Sequence, residues 1–292
     1  MIKKILILCF ILTAGWCYAQ SRYVTTIHPF KEILQSVVGS RGTIHELLPP
    51  GASPHTYEMR PSDMRKVEGA TALFYGASNL DNWALKFQTK QTIAFIELVP
   101  ESHRFHFNGH IHIHGEESEA EHESHIDPHF WTDPLTVKAL IPNLVQKLAT
   151  LDPGGEQTYK KNAEKFKVRL DSLHLKINKL LAPIKIRTVI LSHPFFRYYF
   201  QRYNFTVTDI IEKSPGKEPT PREVKNLIDK VNSEQVSVIC THPQLPDRAA
   251  EIVAESTAAK VVELDPLGGL ENLQSYDDII LYNTRKLVKA MQ

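Results

Sequence analysis

The chain has 292 residues, a formal net charge of +1 at pH 7 and 42% hydrophobic residues. This length and apolar content are sufficient for two α/β domains of ordinary size, or for one large domain. Acidic and basic residues balance and no long basic run occurs, so nucleic acid is not expected as a partner.

Residues 1–19 have the pattern of a secretory signal peptide. The basic pair Lys3-Lys4 precedes an apolar stretch, residues 5–12, that is too short for a stable membrane anchor. The stretch Cys17-Tyr18-Ala19 then resembles a cleavage site. We therefore expect an exported, periplasmic protein. A lipoprotein anchored at Cys17 is the alternative, which the bulky Trp16 beside it disfavours.

Strand-like and helix-like segments alternate after the signal peptide. In the first half the predicted strands are 22–27, 42–48, 70–75 and 92–98, and the predicted helices are 29–38, a short one from Pro61, and 80–88. This alternation favours a parallel sheet with helices on both faces.

A histidine- and glutamate-rich tract, residues 101–127, interrupts the alternation. Seven histidines fall between His103 and His125, with glutamates interleaved, and the tract has no apolar periodicity, so we interpret it as a loop. Neutral imidazole is the commonest metal ligand, and such a composition indicates metal binding. A solvated loop that binds nothing is the alternative.

The second half repeats the alternation after two helices. A helix is predicted from Pro134 to about residue 150, and residues 156–182 form one long helical pattern of about 40 Å. The strands that follow are predicted at 187–192, 205–210, 236–241 and 260–264, and the helices at 194–202, 220–232, 246–257 and 275–290.

The predicted fold class is α/β, with two domains that each contain a four-stranded, mostly parallel sheet flanked by helices. One long rigid helix bridges the two domains, because its length exceeds what one domain needs. The predicted boundaries are 20–150 for the N-terminal domain, 151–183 for the linking helix and 184–292 for the C-terminal domain.

Four candidate metal ligands lie where predicted strands end. His55 follows the second strand, His129 follows the fourth strand and its loop, His193 follows the fifth and Asp265 follows the eighth. Ligands of open parallel sheets bind beyond the carboxyl ends of the strands. Two candidates come from each half, so the predicted site lies between the domains.

Several motifs together resemble a known family. The segments PPGASPH, DPHFWTDP, SHPFFRYYFQRY, EPTP and ELDPLGG occur in the order found in periplasmic metal-binding proteins of ABC transporters, most closely the zinc-uptake, ZnuA-like type. The resemblance implies that His55, His129 and His193 bind the metal and that Asp265 or water completes the site. It also implies two bridged α/β domains and an ABC permease with its ATPase as partner.

The sequence departs from this family pattern at a few positions. The third motif usually reads His-Asp-Ala-Phe, whereas this chain has His193-Pro194-Phe195-Phe196. His28 and His242 stand at strand ends where the family usually lacks histidine. Each is a candidate for an alternative ligand, for a partner that orients a ligand, or for a polar group that caps a helix.

The ligand set predicts which metal is bound. Manganese-type relatives have a carboxylate at the position of His193, and three imidazoles with one oxygen suit four-coordinate Zn(II). We therefore expect a monomer that captures Zn(II) and delivers it to the permease, with Mn, Fe, Ni or Cu as alternative metals. Protonated imidazole cannot bind, so binding is expected to weaken as pH falls through about 6.5.

Two other functions fit parts of the sequence. A hydrolytic zinc enzyme needs an open water position and a general base, for which Glu58 is a candidate, but the chain has no His-Glu-x-x-His motif. We therefore do not expect an enzyme. A periplasmic zinc buffer that has no transporter is the other alternative.

Overall fold

The computed structural model describes residues 20–106, 126–212, 218–245, 247–269 and 273–292. The predicted signal peptide, residues 1–19, and residues 107–125 of the histidine-rich tract lie outside these ranges. None of the helices within them combines the length and the hydrophobicity that a membrane span requires.

The first sheet has four parallel strands in the order β2-β1-β3-β4. The strands are β1 Ser21–Thr25, β2 Gly42–Glu46, β3 Ala72–Tyr75 and β4 Thr92–Ala94. Every residue of β3 is buried, because helices cover both faces of the sheet, and such strands consist of consecutive apolar residues.

Five helices accompany this sheet and a sixth, much longer helix follows. They are α1 His28–Val38, α2 Pro61–Val67, α3 Ser78–Asp81, α4 Phe95–Leu98, α5 Pro134–Leu151 and α6 Glu156–Leu181. A proline occupies the first turn of α1, α2 and α5, where its missing N–H has no intrahelical partner to lose.

Two element predictions in this half are partly wrong. The strand predicted at 92–98 ends at Ala94, and the chain turns into α4, since a short apolar run suits either conformation. The helix predicted at 80–88 is α3 followed by the 3₁₀ turn Asn82–Lys86.

The second sheet has the same parallel arrangement, in the order β6-β5-β7-β8. Its strands are β5 Thr188–Leu191, β6 Thr206–Ile210, β7 Val238–Thr241 and β8 Lys260–Glu263, and its helices are α7 Arg197–Arg202, α8 Pro221–Ser233, α9 Arg248–Glu255 and α10 Tyr276–Met291. The predicted fold class is therefore confirmed, and the boundaries 20–150, 151–183 and 184–292 stay predictions.

The long helix α6 joins the two halves. Its 26 residues give a length of about 39 Å. It packs against α1 and α5 of the first half and against α10 of the second. Its buried face is the apolar stripe Tyr159, Ala163, Phe166, Leu170, Leu173, Ile177 and Leu181.

The two halves share one hydrophobic core. A single cluster of buried side chains includes Phe30 of α1, Leu140 of α5, Leu170 of α6 and Tyr276 of α10. Polar bonds reinforce the contact, since the Tyr276 hydroxyl donates to the backbone carbonyl of Trp131 over 2.7 Å. A second, smaller cluster lies between the second sheet and helices α8 and α9.

His28 at the start of α1 connects the two halves directly. Its Nδ1 lies 2.7 Å from a carboxylate oxygen of Glu46, and its Nε2 lies 2.9 Å from the backbone carbonyl of Gln274 in the second half. Both partners only accept hydrogen bonds, so both ring nitrogens must carry protons. Burial lowers the pKa of His28, but the hydrogen bond and charge of Glu46 outweigh it and raise the pKa overall.

We predict that His28→Ala destabilises the protein in a pH-dependent way. A raised pKa means that the contribution of His28 is fully present below its unfolded pKa and is lost as pH rises through the folded pKa. Urea unfolding should show a loss of about 1–3 kcal/mol at pH 5.5 and a smaller loss at pH 8.5. The exposed His45 of β2 provides a control, His45→Ala. Equal losses at both pH values for His28→Ala would contradict the ionic contact.

Candidate metal centre

Three of the predicted ligands converge between the two halves. The Nε2 atom of His55 lies 3.3 Å from Nε2 of His129 and 3.1 Å from Nε2 of His193. One nitrogen from each of the three rings lies within 4.8 Å of the others, and no other such group of ligand residues occurs among the described residues.

The loop after β2 presents His55. The indole Nε1 of Trp83 donates to the backbone carbonyl of Pro54 over 2.8 Å and holds this loop. His55 itself forms a hydrogen bond with the backbone of Asn79. This bond favours the protonated form of the ring, as is expected when a backbone carbonyl accepts from it. Since Nε2 faces the other histidines, we infer that Nδ1 makes this bond.

The segment that leads into α3, the helix that contains Asn79, is in turn held by Asp81, a fully buried carboxylate at the end of α3. Its oxygens accept hydrogen bonds from the backbone N–H groups of Gly76 and Ala77 over 2.9–3.1 Å. Burial raises the pKa of Asp81 to about 6, because the surrounding core disfavours the charged form. Trp83 and Asp81 therefore hold both the loop that carries His55 and the start of the helix that contains Asn79.

The buried carboxylate of Asp127 orients His129. Its Oδ1 accepts hydrogen bonds from the backbone N–H of His129 over 3.0 Å and from the ring Nδ1 over 2.8 Å. A metal-binding histidine commonly donates its second ring N–H to a carboxylate in this way, which fixes the tautomer. Nε2 of His129 is therefore left as an acceptor.

A hydroxyl group from the second half holds the same segment. Tyr198 of α7 donates to the backbone carbonyl of Asp127 over 3.0 Å and accepts the backbone N–H of Phe105 over 2.9 Å. Its ring also stacks on Phe105 with a centroid distance of 4.2 Å. Tyr198 thus fastens the residues on both sides of the histidine-rich tract.

His193 comes directly from the second sheet. It follows β5, and the preceding Ser192 extends the sheet by donating its backbone N–H to Cys240 over 2.8 Å. The His193 ring is 5% exposed, and its Nδ1 has no hydrogen-bond partner among the described residues. Packing therefore holds this ring where polar contacts hold the other two.

The geometry is that of a cation site. His55 and His129 both direct an Nε2 lone pair at the other over 3.3 Å, since their Nδ1 atoms carry the protons. Two lone pairs at this distance repel unless a cation lies between them. With metal–nitrogen bonds near 2.0–2.1 Å, tetrahedral ligand nitrogens stand ~3.3–3.4 Å apart. The His55–His129 distance of 3.3 Å matches this spacing, and the His55–His193 distance of 3.1 Å is slightly shorter.

Burial keeps the histidines of the site in their neutral form. Desolvation, followed by the charges of the neighbouring histidines, lowers the pKa of His55 to about 3 and that of His193 well below its usual value. Burial also lowers the pKa of His242 to about 3. These rings are therefore neutral at physiological pH, the form in which imidazole binds metals.

The fourth predicted ligand, Asp265, lies outside the group of three. Its Oδ1 accepts hydrogen bonds from the side chain of Gln244 over 2.8 Å and from the backbone N–H groups of Leu267 and Gly268 over 3.0 and 3.1 Å. The structure thus brings three of the four candidates together, and ligation by Asp265 stays a prediction.

Neither His28 nor His242 belongs to the group of three converging histidines, and the two differ in their distance from it. His28 bonds to Glu46 and Gln274 and is not part of the cluster, whereas the His242 ring lies 5.6 Å from that of His193. Glu58, the candidate base of the enzyme alternative, is exposed. The sequence interpretation missed Asp127, although its position two residues before His129 in the Asp-Pro-His motif was a usable signal.

Comparisons with known proteins identify the family of this chain. The family described as "Zinc-uptake complex component A periplasmic" matches residues 24–290. A putative metal-binding protein of Thermotoga maritima is 28% identical, with 91% of each chain covered. The metal ABC transporter substrate-binding lipoprotein SloC of Streptococcus mutans is 25% identical, over 82% of this chain and 78% of SloC.

A solved structure shows the same fold. The SBP FpvC of Pseudomonas aeruginosa, in complex with Mn²⁺, matches with a TM-score of 0.79 and 21% identity, over 94% of this chain and 99% of FpvC. The family match spans the described chain from β1 to α10, so the resemblance seen in the motifs is confirmed. The chain belongs to the family of the periplasmic component A of zinc-uptake complexes, which are metal-binding, substrate-binding proteins of ABC transporters.

Proposed function

We propose that this protein captures Zn(II) between its two halves and delivers it to the membrane permease of an ABC transporter. The observation that carries the proposal is the convergence of three imidazole nitrogens, in which Nε2 of His193 and of His129 lie 3.1 and 3.3 Å from Nε2 of His55, close to the spacing of ligands around a tetrahedral ion. Family membership supports the transport role.

The proposed ligands are His55, His129 and His193, and the resemblance to the family implies an oxygen of Asp265 or of water as the first candidate for the fourth position. Imidazole suits Zn(II), whereas Mn(II) prefers carboxylate and other oxygen ligands. No carboxylate belongs to the group of three within the described chain. This chemistry supports zinc over manganese or iron, and the zinc-uptake family agrees with it. Nickel and copper also accept imidazole.

We further propose that the protein is exported by residues 1–19, acts in the periplasm as a monomer and has no enzymatic activity. The candidate base Glu58 is exposed and outside the histidine cluster, which argues against zinc hydrolysis. Uptake of radioactive zinc by cells with and without the gene tests the transport role. Unchanged uptake would instead indicate a zinc buffer without a transporter.

We predict one tight zinc site that depends on the cleft histidines. Competition titration with a zinc chelator should show that His55→Ala/His193→Ala abolishes tight binding, because two of three converging nitrogens are lost. Any weaker sites of the histidine-rich tract should remain. His45→Ala, which removes an exposed histidine of β2, should bind as the wild type does. Tight binding by the double variant would place the site in the tract instead.

We predict that zinc affinity changes little between pH 7.5 and pH 5.5. Three ligands with ordinary pKa values near 6.5 would lose affinity by about a thousandfold over this range. The lowered pKa values of His55 and His193 reduce the expected loss to less than about tenfold, because protons compete only at lower pH. The weakening of zinc binding that the sequence analysis expects near pH 6.5 is therefore expected at lower pH. Titration at each pH measures it, and a thousandfold loss would contradict the burial argument.

We predict that Asp127→Asn weakens zinc binding by about ten- to a hundredfold. The substitution preserves size but removes the carboxylate that orients His129 and increases its basicity. Asp171→Asn, on the exposed side of α6, is the control. Melting of the metal-free proteins would show whether the fold is intact. Wild-type affinity in a folded Asp127→Asn protein would show that packing alone orients His129.

A further inference from the structure

A fourth imidazole stands beside the three that converge. His242 follows β7 and is 3% exposed. The centroid of its ring lies 5.6 Å from that of His193, close to the 4.9–5.5 Å that separate the rings of the trio. The second sheet therefore contributes two histidines, from the ends of its adjacent strands β5 and β7.

Phe195 places His242 in the same cluster as the other three. Its ring centroid lies 4.6 Å from His129, 4.7 Å from both His193 and His242, and 5.7 Å from His55. The four imidazoles thus surround one buried aromatic ring. Phe195 and His242 are also both departures from the family pattern, and they are in contact with each other.

One polar atom of His242 is not satisfied by the protein. Within the described ranges its buried Nδ1 has no hydrogen-bond partner, unlike both ring nitrogens of His28. A buried ring nitrogen without a partner is unfavourable, and a ligand would remove that cost. Nδ1 of His193, a proposed ligand, is unpaired in the same way within the described chain.

One oxygen of the carboxylate expected in the fourth position is already engaged. Oδ1 of Asp265 accepts three hydrogen bonds, one of them from Gln244, two residues after His242. These bonds hold the carboxylate outside the group of three. The fourth side of the cluster is therefore bordered by His242, whose Nδ1 has no partner among the described residues, and by Asp265, whose Oδ1 already accepts hydrogen bonds.

We propose that His242 is a ligand of the transported ion and completes an all-imidazole set in place of Asp265. This inference rests on the proposed function of the cleft. His242 is not within the 4.8 Å group, so its ring must turn about its own side-chain bonds to reach the ion. Four imidazoles favour zinc, copper or nickel and disfavour manganese, which prefers oxygen ligands.

X-ray absorption at the zinc edge tests this assignment on the full chain with one equivalent of zinc. Scattering from imidazole rings should indicate four histidines in the wild type and in Asp265→Asn, and three in His242→Gln. Zinc affinity of His242→Gln should fall by at least about tenfold, with manganese affinity nearly unchanged. His45→Ala should match the wild type in both measurements.

Several results would overturn the assignment. Three imidazoles in the wild type would do so without any variant, and so would identical spectra for the wild type and His242→Gln. Melting of the metal-free His242→Gln protein separates a folding defect from a lost ligand. If the wild type bound no zinc tightly, the proposed function itself would fail, which is a different outcome from tight binding by three imidazoles.

Discussion

Two imidazole lone pairs, on His55 and His129, face each other over 3.3 Å, and much of the surrounding structure keeps them in that position. Left alone, such a pair would turn apart. The Asn79 backbone holds one ring and the Asp127 carboxylate holds the other. Burial removes the water that would otherwise separate them. The protein therefore maintains a repulsion that a cation converts into attraction, which is the basis of preorganised metal binding.

The architecture explains why this arrangement is stable. The ligands come from loops of two sheets, but both sheets pack into one hydrophobic cluster, and α6 lies across both halves. Trp131 illustrates the coupling, because its indole donates to Pro266 while its carbonyl accepts from Tyr276. The site is therefore formed by a shared core rather than by two independent bodies that must close.

Much of this could be predicted from the sequence, for identifiable reasons. Buried parallel strands appear in a sequence as runs of apolar residues, and the ligands of such folds bind at the ends of strands. Both sheets and the three histidines could therefore be predicted. The contacts of His28 could not be predicted, because its partners Glu46 and Gln274 lie 18 and 246 residues away. The turn into α4 at Phe95 depends on the distant backbone carbonyl of Gly76, and the hydrogen bond of Asp265 to Gln244 depends on a side chain 21 residues away, neither of which local patterns encode.

The hydrogen bonds of Tyr198 to Phe105 and Asp127 affect how this protein can change during evolution. Phe105 and Asp127 are joined by one hydroxyl, and His106 pairs with Ile126 in an antiparallel bridge. Once the two ends of a segment are fixed, doubling its length costs only about 0.6 kcal/mol. Insertions, deletions and changes of histidine content between these ends can therefore accumulate while His129 keeps its place. The contacts that hold these two ends therefore separate the position of His129 from the length of the segment before it.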